Sequence, residues 1–222
     1  MAVTKVDIAS RALIMIGANP ISSFTDGTTE SLVVNTIYEE IVESTLTRAR
    51  WRFATGQQQL SFLTDTPAGR FEYAYQLPTS PQLLQILAIT VNDQPIPYSR
   101  YEDKIYMNSY GNESTVIMDY IFRQDESLFP PYFRLALELK LASIFAGSIA
   151  RDSALVNEFD QQAERQLLIA KNIDAQETTT KRLSTNRFIS NRRSSRSGIV
   201  SYCQEKSDRY ILTSQLENLT QI

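Results

Sequence analysis

Histidine is absent from all 222 residues of this chain, and cysteine occurs once, as Cys203. Without histidine there can be no Ser-His or Cys-His nucleophile pair, no histidine-ligated zinc and no imidazole acid-base chemistry. A lone cysteine excludes an internal disulfide and any CxxC metal or redox site. Glycine is scarce, seven residues scattered singly, so no GxGxxG or GK[ST] phosphate loop is spelled. Nor does any apolar run reach the ~18 residues that a membrane-spanning helix needs. The first 16 residues lack the basic lead-in, apolar run and small-residue cleavage site of a signal peptide. The chain is therefore expected to be made and used inside a cell, or in a particle assembled there. No cofactor and no metal are expected.

What is present is enough apolar material for a core, 42% of residues, and an ordinary charged fraction of 21%. The charge is unevenly spread. Residues 178–222 carry eight Lys and Arg against three Asp and Glu, a balance of +5, whereas residues 1–177 stand at −8. An acidic body with a basic tail is the clearest electrostatic feature.

Along the chain, Thr4 and Asp7 form a capping pair for a first helix, with Ile8, Ala9, Ala12, Leu13 and Ile16 on one face and a stop at Gly17. A second helix is expected over residues 30–50. Its stripe is Val34, Ile37, Tyr38, Ile41 and Leu46, with Glu39, Glu40, Glu43 and Arg48 outward. Trp51 and Phe53 then read as core anchors, since large aromatics at helix ends usually pack.

Residues 57–63 and 71–77 read as short strands around a turn at 66–69, and residues 83–91 are apolar on both alternating faces, as a central strand should be. Asn92-Asp93 makes a turn. Residues 104–108 and 114–122 suggest a hairpin around Tyr110-Gly111-Asn112.

The longest apolar stretch, residues 128–151, follows Pro130 and Pro131, which can begin a helix but not continue one. Phe133, Leu135, Leu137, Leu139, Leu141, Ile144 and Phe145 lie on nearly every side of it, so it is expected to be the buried central helix. Arg151-Asp152-Ser153 caps a fourth helix striped by Leu155, Phe159, Ala163, Leu167 and Ala170 and packed antiparallel on the third. The expected fold is α+β, a four-helix antiparallel bundle with an inserted antiparallel β subdomain and an extended C-terminal arm. Residues 1–56 and 128–177 would form the helical core, 57–127 the insert and 178–222 the arm.

The arm turns to Ser, Thr, Asn and Arg, with no acidic residue before Glu205. Such a segment buries too little apolar area to order itself, so a partner chain is expected to hold it. Its basic run, Lys181, Arg182, Arg187, Arg192, Arg193 and Arg196, would suit phosphates, although Phe188 alone interleaves as a stacking ring. The glutamates at 39, 40 and 43 share one polar helix face, whereas glycosidase chemistry needs two carboxylates about 5–9.5 Å apart across a cleft. The tyrosines around 98, 101, 106 and 110 suit a protein interface, where tyrosine is enriched.

Several stretches together resemble the head-to-tail adaptors of short-tailed bacteriophages, the tail tubular protein A and tail accessory factor family. They are Ala9-Ser10-Arg11-Ala12-Leu13 with Ile16-Gly17, Arg50-Trp51-Arg52-Phe53-Ala54, residues 71–78 (FEYAYQLP), residues 125–134 (DESLFPPYFR) and Ala150-Arg151-Asp152. Order and spacing over residues 1–177 carry the likeness.

The resemblance implies a structural, non-enzymatic virion protein at the head-tail interface, assembled in the host cytoplasm. It would form a homo-oligomeric ring, twelve-fold, beneath the portal. The portal ring would lie above and the nozzle, tail tube or tail fibre proteins below, with double-stranded DNA passing through without sequence-specific binding and no membrane involved. C-terminal arms of relatives reach the portal. By that likeness, portal contacts here would come from Arg182, Arg187, Phe188, Ile189, Arg192, Arg193, Arg196, Tyr202 and Tyr210. The alternatives are a DNA-binding assembly factor acting through the basic arm and a tail-associated cell-wall hydrolase.

Overall fold

The first helix, α1 (Lys5–Met15), begins on a reciprocal cap: the Thr4 side chain accepts the Asp7 N–H, and the Asp7 carboxylate accepts the Thr4 N–H at 2.8 Å. These contacts come from a computed structural model that describes residues 3–64, 67, 69–108 and 115–177. Past α1 the chain turns at Gly17, whose φ of +76° is the left-handed conformation glycine adopts without strain.

α2 (Thr29–Thr47) starts at Thr28, whose hydroxyl accepts the Ser31 N–H. It ends short of the expected residue 50 because Trp51 turns inward. The indole is fully buried, donates from Nε1 to the Thr45 carbonyl at 3.1 Å and meets the Phe133 ring edge-on at 5.1 Å. This is the core anchor expected from the sequence.

Among the described residues, eight strands follow in two antiparallel sheets. The first sheet has the order β1-β8-β4-β5 and the second β2-β3-β7-β6. Their spans are β1 Thr55–Gln59, β2 Ser61–Leu63, β3 Tyr73–Gln76, β4 Leu83–Val91, β5 Gln94–Pro95, β6 Ser99–Tyr101, β7 Lys104–Met107 and β8 Val116–Phe122. Asn92 and Asp93, both at positive φ, turn β4 into β5 as expected.

Two strand expectations are corrected. Residues 57–63 are not one strand: β1 and β2 divide at Leu60 and belong to different sheets, so the chain crosses from sheet to sheet there. The expected hairpin of 104–108 with 114–122 also fails, because β7 pairs with β3 and β6 while β8 pairs with β1 and β4. Both misreadings share a cause: alternation marks a strand but says nothing of which sheet receives it. The expected tip at Tyr110, Gly111 and Asn112 lies outside the described residues.

The apolar sequence of β4 is explained by its position. Leu84 and Leu87 pack into the helical core, while Leu83, Ile86, Ile89 and Val91 join the cluster between the sheets. Register shifts at Leu83/Gln85 and Ile86/Ala88 let residues three apart point the same way. The first sheet is thus a middle layer, with helices on one face and the second sheet on the other.

α3 (Pro131–Phe145) opens with Pro131 at its first position and buries Phe133, Leu137, Leu141 and Phe145 completely. It widens into a π-helical turn at Ala146–Ala150, breaks at Arg151 (φ 56°), and restarts as α4 (Ser153–Gln176) on the Asp152 cap. α4 runs antiparallel to α3, with Tyr132 bonded to Asp174 at one end and Ser143 to the Val156 carbonyl at the other.

The expected four-helix bundle with an inserted β subdomain is overturned. α3 is the common neighbour of α1, α2 and α4, and α1 and α2 meet each other only slightly. The β residues form two four-stranded sheets, and the first of them is a wall of the helical core through Leu84, Leu87 and Ile121. Helix periodicity reveals an apolar face but not whether a helix or a sheet will cover it. The expected extended C-terminal arm lies outside the described residues.

Candidate interaction surface on the second sheet

Side chains of the second sheet alternate between two destinations. Tyr75, Ile105 and Met107 turn inward and are buried, which sends Tyr106 to the other face beside its register partner Ser99. Tyr101 closes β6 before the two-residue turn at Glu102-Asp103, and Phe71 arrives from the segment ahead of β3. The three rings form a triangle: Phe71 to Tyr106 is 5.6 Å, Tyr101 to Tyr106 is 5.7 Å and Phe71 to Tyr101 is 6.0 Å between centroids. These separations lie in the range where edge and tilted aromatic pairs attract.

Arg70 crowns the triangle. Its guanidinium stands 5.2 Å from the Phe71 centroid and donates from Nη2 to the Tyr101 hydroxyl at 3.3 Å. Two depressions flank the Phe71–Tyr106 ridge. One, of about 300 Å³, is bounded by Arg70 and Tyr101; the other, of about 190 Å³, by Pro97, Tyr98 and Met107. Tyr101 is half exposed and Tyr98 more than a third, so the rings are accessible. The surface offers ring faces, hydroxyls and a guanidinium, the chemistry of recognition.

Of the tyrosines expected here, Tyr98, Tyr101 and Tyr106 come together, and Tyr110 lies outside the described residues. Phe71 and Arg70 were not anticipated. Alternation from Tyr73 and Tyr75 would turn Phe71 inward, but the strand begins at Tyr73, and the preceding backbone is free to turn the ring outward.

No protein-family model and no curated protein matches this chain.

The anticipated portal-contact residues, Arg182, Arg187, Phe188, Ile189, Arg192, Arg193, Arg196, Tyr202 and Tyr210, all lie outside the described residues. Two of the glutamates of α2, Glu39 and Glu43, tie it to other elements. Glu39 pairs with Arg123, which also pairs with Glu126, and Glu126 accepts the Tyr38 hydroxyl at 3.3 Å. Burial, with Glu126 beside it, pushes the Tyr38 hydroxyl well above its ordinary range. Glu43 accepts from the Gln82 amide at 2.9 Å. Among the described residues there is no group of three or more His, Cys, Asp or Glu able to hold a metal ion, and no helix long and apolar enough to cross a membrane.

Proposed function

We propose that the chain is a structural head-to-tail adaptor of a short-tailed bacteriophage. On this reading it forms a ring, twelve-fold by resemblance, beneath the portal, extends the DNA channel and presents a platform to the nozzle or tail tube. It acts by assembly and not by catalysis, within the virion.

The observation that carries the reading is that one small body exposes two unlike kinds of apolar side chain, aromatic on the second sheet and aliphatic on the helices. The aromatic triangle of Phe71, Tyr101 and Tyr106 lies on the second sheet. A different, aliphatic set emerges from the helices, with Leu32, Leu135 and Leu168 at 67%, 42% and 61% exposure. A closed ring joins each subunit to its neighbours through two different patches, and an adaptor needs further surface for the layers above and below. An acidic body also suits a channel, because it repels DNA phosphates and lets the duplex slide.

Electron microscopy of the protein mixed with its portal tests the reading. Ring-on-ring complexes are expected. A protein that stays apart from the portal, or that binds duplex DNA tightly through its basic C-terminal residues, would move the role to a DNA-binding assembly factor.

A further inference from the structure

Residues 1–177 carry a balance of −8, yet three arginines fall within five positions at the end of α2. Arg48 is paired with Glu164 at 2.6 Å. The Arg50 side chain has no hydrogen bond or ion pair among the described residues, and Arg52 commits only Nε, to the Asp174 carbonyl at 3.0 Å. Two guanidiniums thus keep most of their donors unspent on a body that is otherwise acidic.

They stand over a cleft of about 500 Å³. Its lining includes Thr55 and Gln57 of β1, Leu87 of β4 and Asp119 of β8. Asp119 is the cross-strand partner of both Gln57 and Ala88, on the face that the helices cover at Ile121 but leave open two residues earlier. Its Oδ1 is buried and accepts no hydrogen bond among the described residues. An acceptor in that condition needs a donor.

The third feature is the strand itself. Among the described residues β1 is an edge, bonded only to β8, and reads Thr-Gly-Gln-Gln-Gln with its last three residues exposed. Edge strands are commonly protected by lysine, proline or a bulge, because their unpaired backbone groups template another strand. β1 carries no charge and no proline.

We propose that this cleft and the β1 edge form a docking site for an extended, acidic segment of a partner protein. An extended backbone supplies the N–H and C=O groups that pair with the β1 edge, and a side-chain donor of the segment, reaching over β1 into the cleft, meets the Asp119 carboxylate on β8. Acidic side chains of the segment meet Arg50 and Arg52, whose planar donor forks match carboxylates. The surrounding negative charge sharpens register, since a shifted acidic segment meets repulsion. Nucleic acid fits less well, because the described residues that line the cleft include no aromatic ring on which a base could stack. The site does not depend on the ring reading.

The test uses the full chain and a fluorescein-labelled alternating Thr-Glu peptide, with Thr-Gln and Thr-Lys peptides and an oligothymidylate as comparisons, at low salt. The Thr-Glu peptide is expected to bind in preference to the others and to slow hydrogen exchange at residues 55–59. Arg50→Glu, at an exposed position, should weaken binding about tenfold, and Arg50→Lys, which keeps the charge but not the planar fork, should weaken it less. Circular dichroism checks that both variants fold. Undiminished binding to Arg50→Glu, which leaves the basic residues beyond 177 intact, would place the peptide elsewhere and overturn the proposal. So would unprotected β1 amides, or equal binding of the Thr-Lys peptide or the oligothymidylate.

Discussion

Asp174, two residues before the end of α4, accepts the backbone N–H of Arg52 on both carboxylate oxygens at 3.2 Å, across 122 positions of sequence. The same carboxylate accepts the Tyr132 hydroxyl at 3.0 Å, and the Asp174 carbonyl accepts Arg52 Nε. One residue thereby joins the start of α3, the end of α4 and the turn that launches β1. The side chain is buried, and burial raises its carboxyl above the usual range against the lowering effect of its donors.

Asp174→Ala should cost about 1–3 kcal/mol, because it leaves the Arg52 N–H without its acceptor and the Tyr132 hydroxyl with Glu177 at 3.4 Å alone. Tyr132→Phe, which leaves the Arg52 bonds in place, should cost about 1 kcal/mol. Urea unfolding followed by Trp51 fluorescence measures both. An Asp174→Ala variant as stable as the parent would remove this residue from the role described.

The leucines of α3 divide into two classes. Leu141 has no exposed surface, so Leu141→Asp buries an unpaired carboxylate and should unfold the subunit, at a cost of several kcal/mol. Leu135 is 42% exposed, and Leu135→Asp should alter stability by no more than about 0.5 kcal/mol. If the adaptor reading is right, the folded Leu135→Asp protein should load less onto the portal, and sedimentation of the mixture reports it.

Glu138 makes a prediction in pH. Burial raises its carboxyl above the ordinary 4.5, opposed by Arg11, which it meets at 3.2 Å. A carboxyl raised in the folded state contributes stability that is fully present below its unfolded pKa and lost as pH rises through the folded value. Glu138→Gln should therefore gain on the parent protein as pH goes from 4 to 7. Denaturant midpoints at the two ends of that interval measure the difference, and a constant difference would mean that Glu138 titrates normally.

Local signals were legible wherever the chemistry was local. The Thr4/Asp7 cap, the Gly17 stop, the Asn92-Asp93 turn, Pro131 at the head of α3 and Asp152 at the head of α4 each involve groups a few residues apart, which a linear reading brings together. Strand β4 was legible in its span, Leu83–Val91, and in its two-sided burial. Its two destinations were not, since a run of leucine and isoleucine does not distinguish a helical layer from a second sheet. The aromatic surface was half legible: tyrosines spaced along residues 98–106 suggested it, but Phe71 and Arg70 join them through the pairing of β3 with β7. The Arg50–Asp119 cleft had no linear signal, because it depends on where the helices stop covering the first sheet.

By itself the sequence determined the mixed α+β class, the buried character of α3, the inward turn of Trp51 and the contrast between an acidic body and basic final residues. These follow from composition, periodicity and short-range hydrogen bonding. Tertiary structure alone decided that α3 gathers three helices against a sheet, that residues 55–63 change sheets at Leu60, and that Asp174 reaches back to Arg52. Those outcomes rest on which apolar faces bury each other best once the chain has closed its long loops, a competition among distant partners that no window of sequence contains.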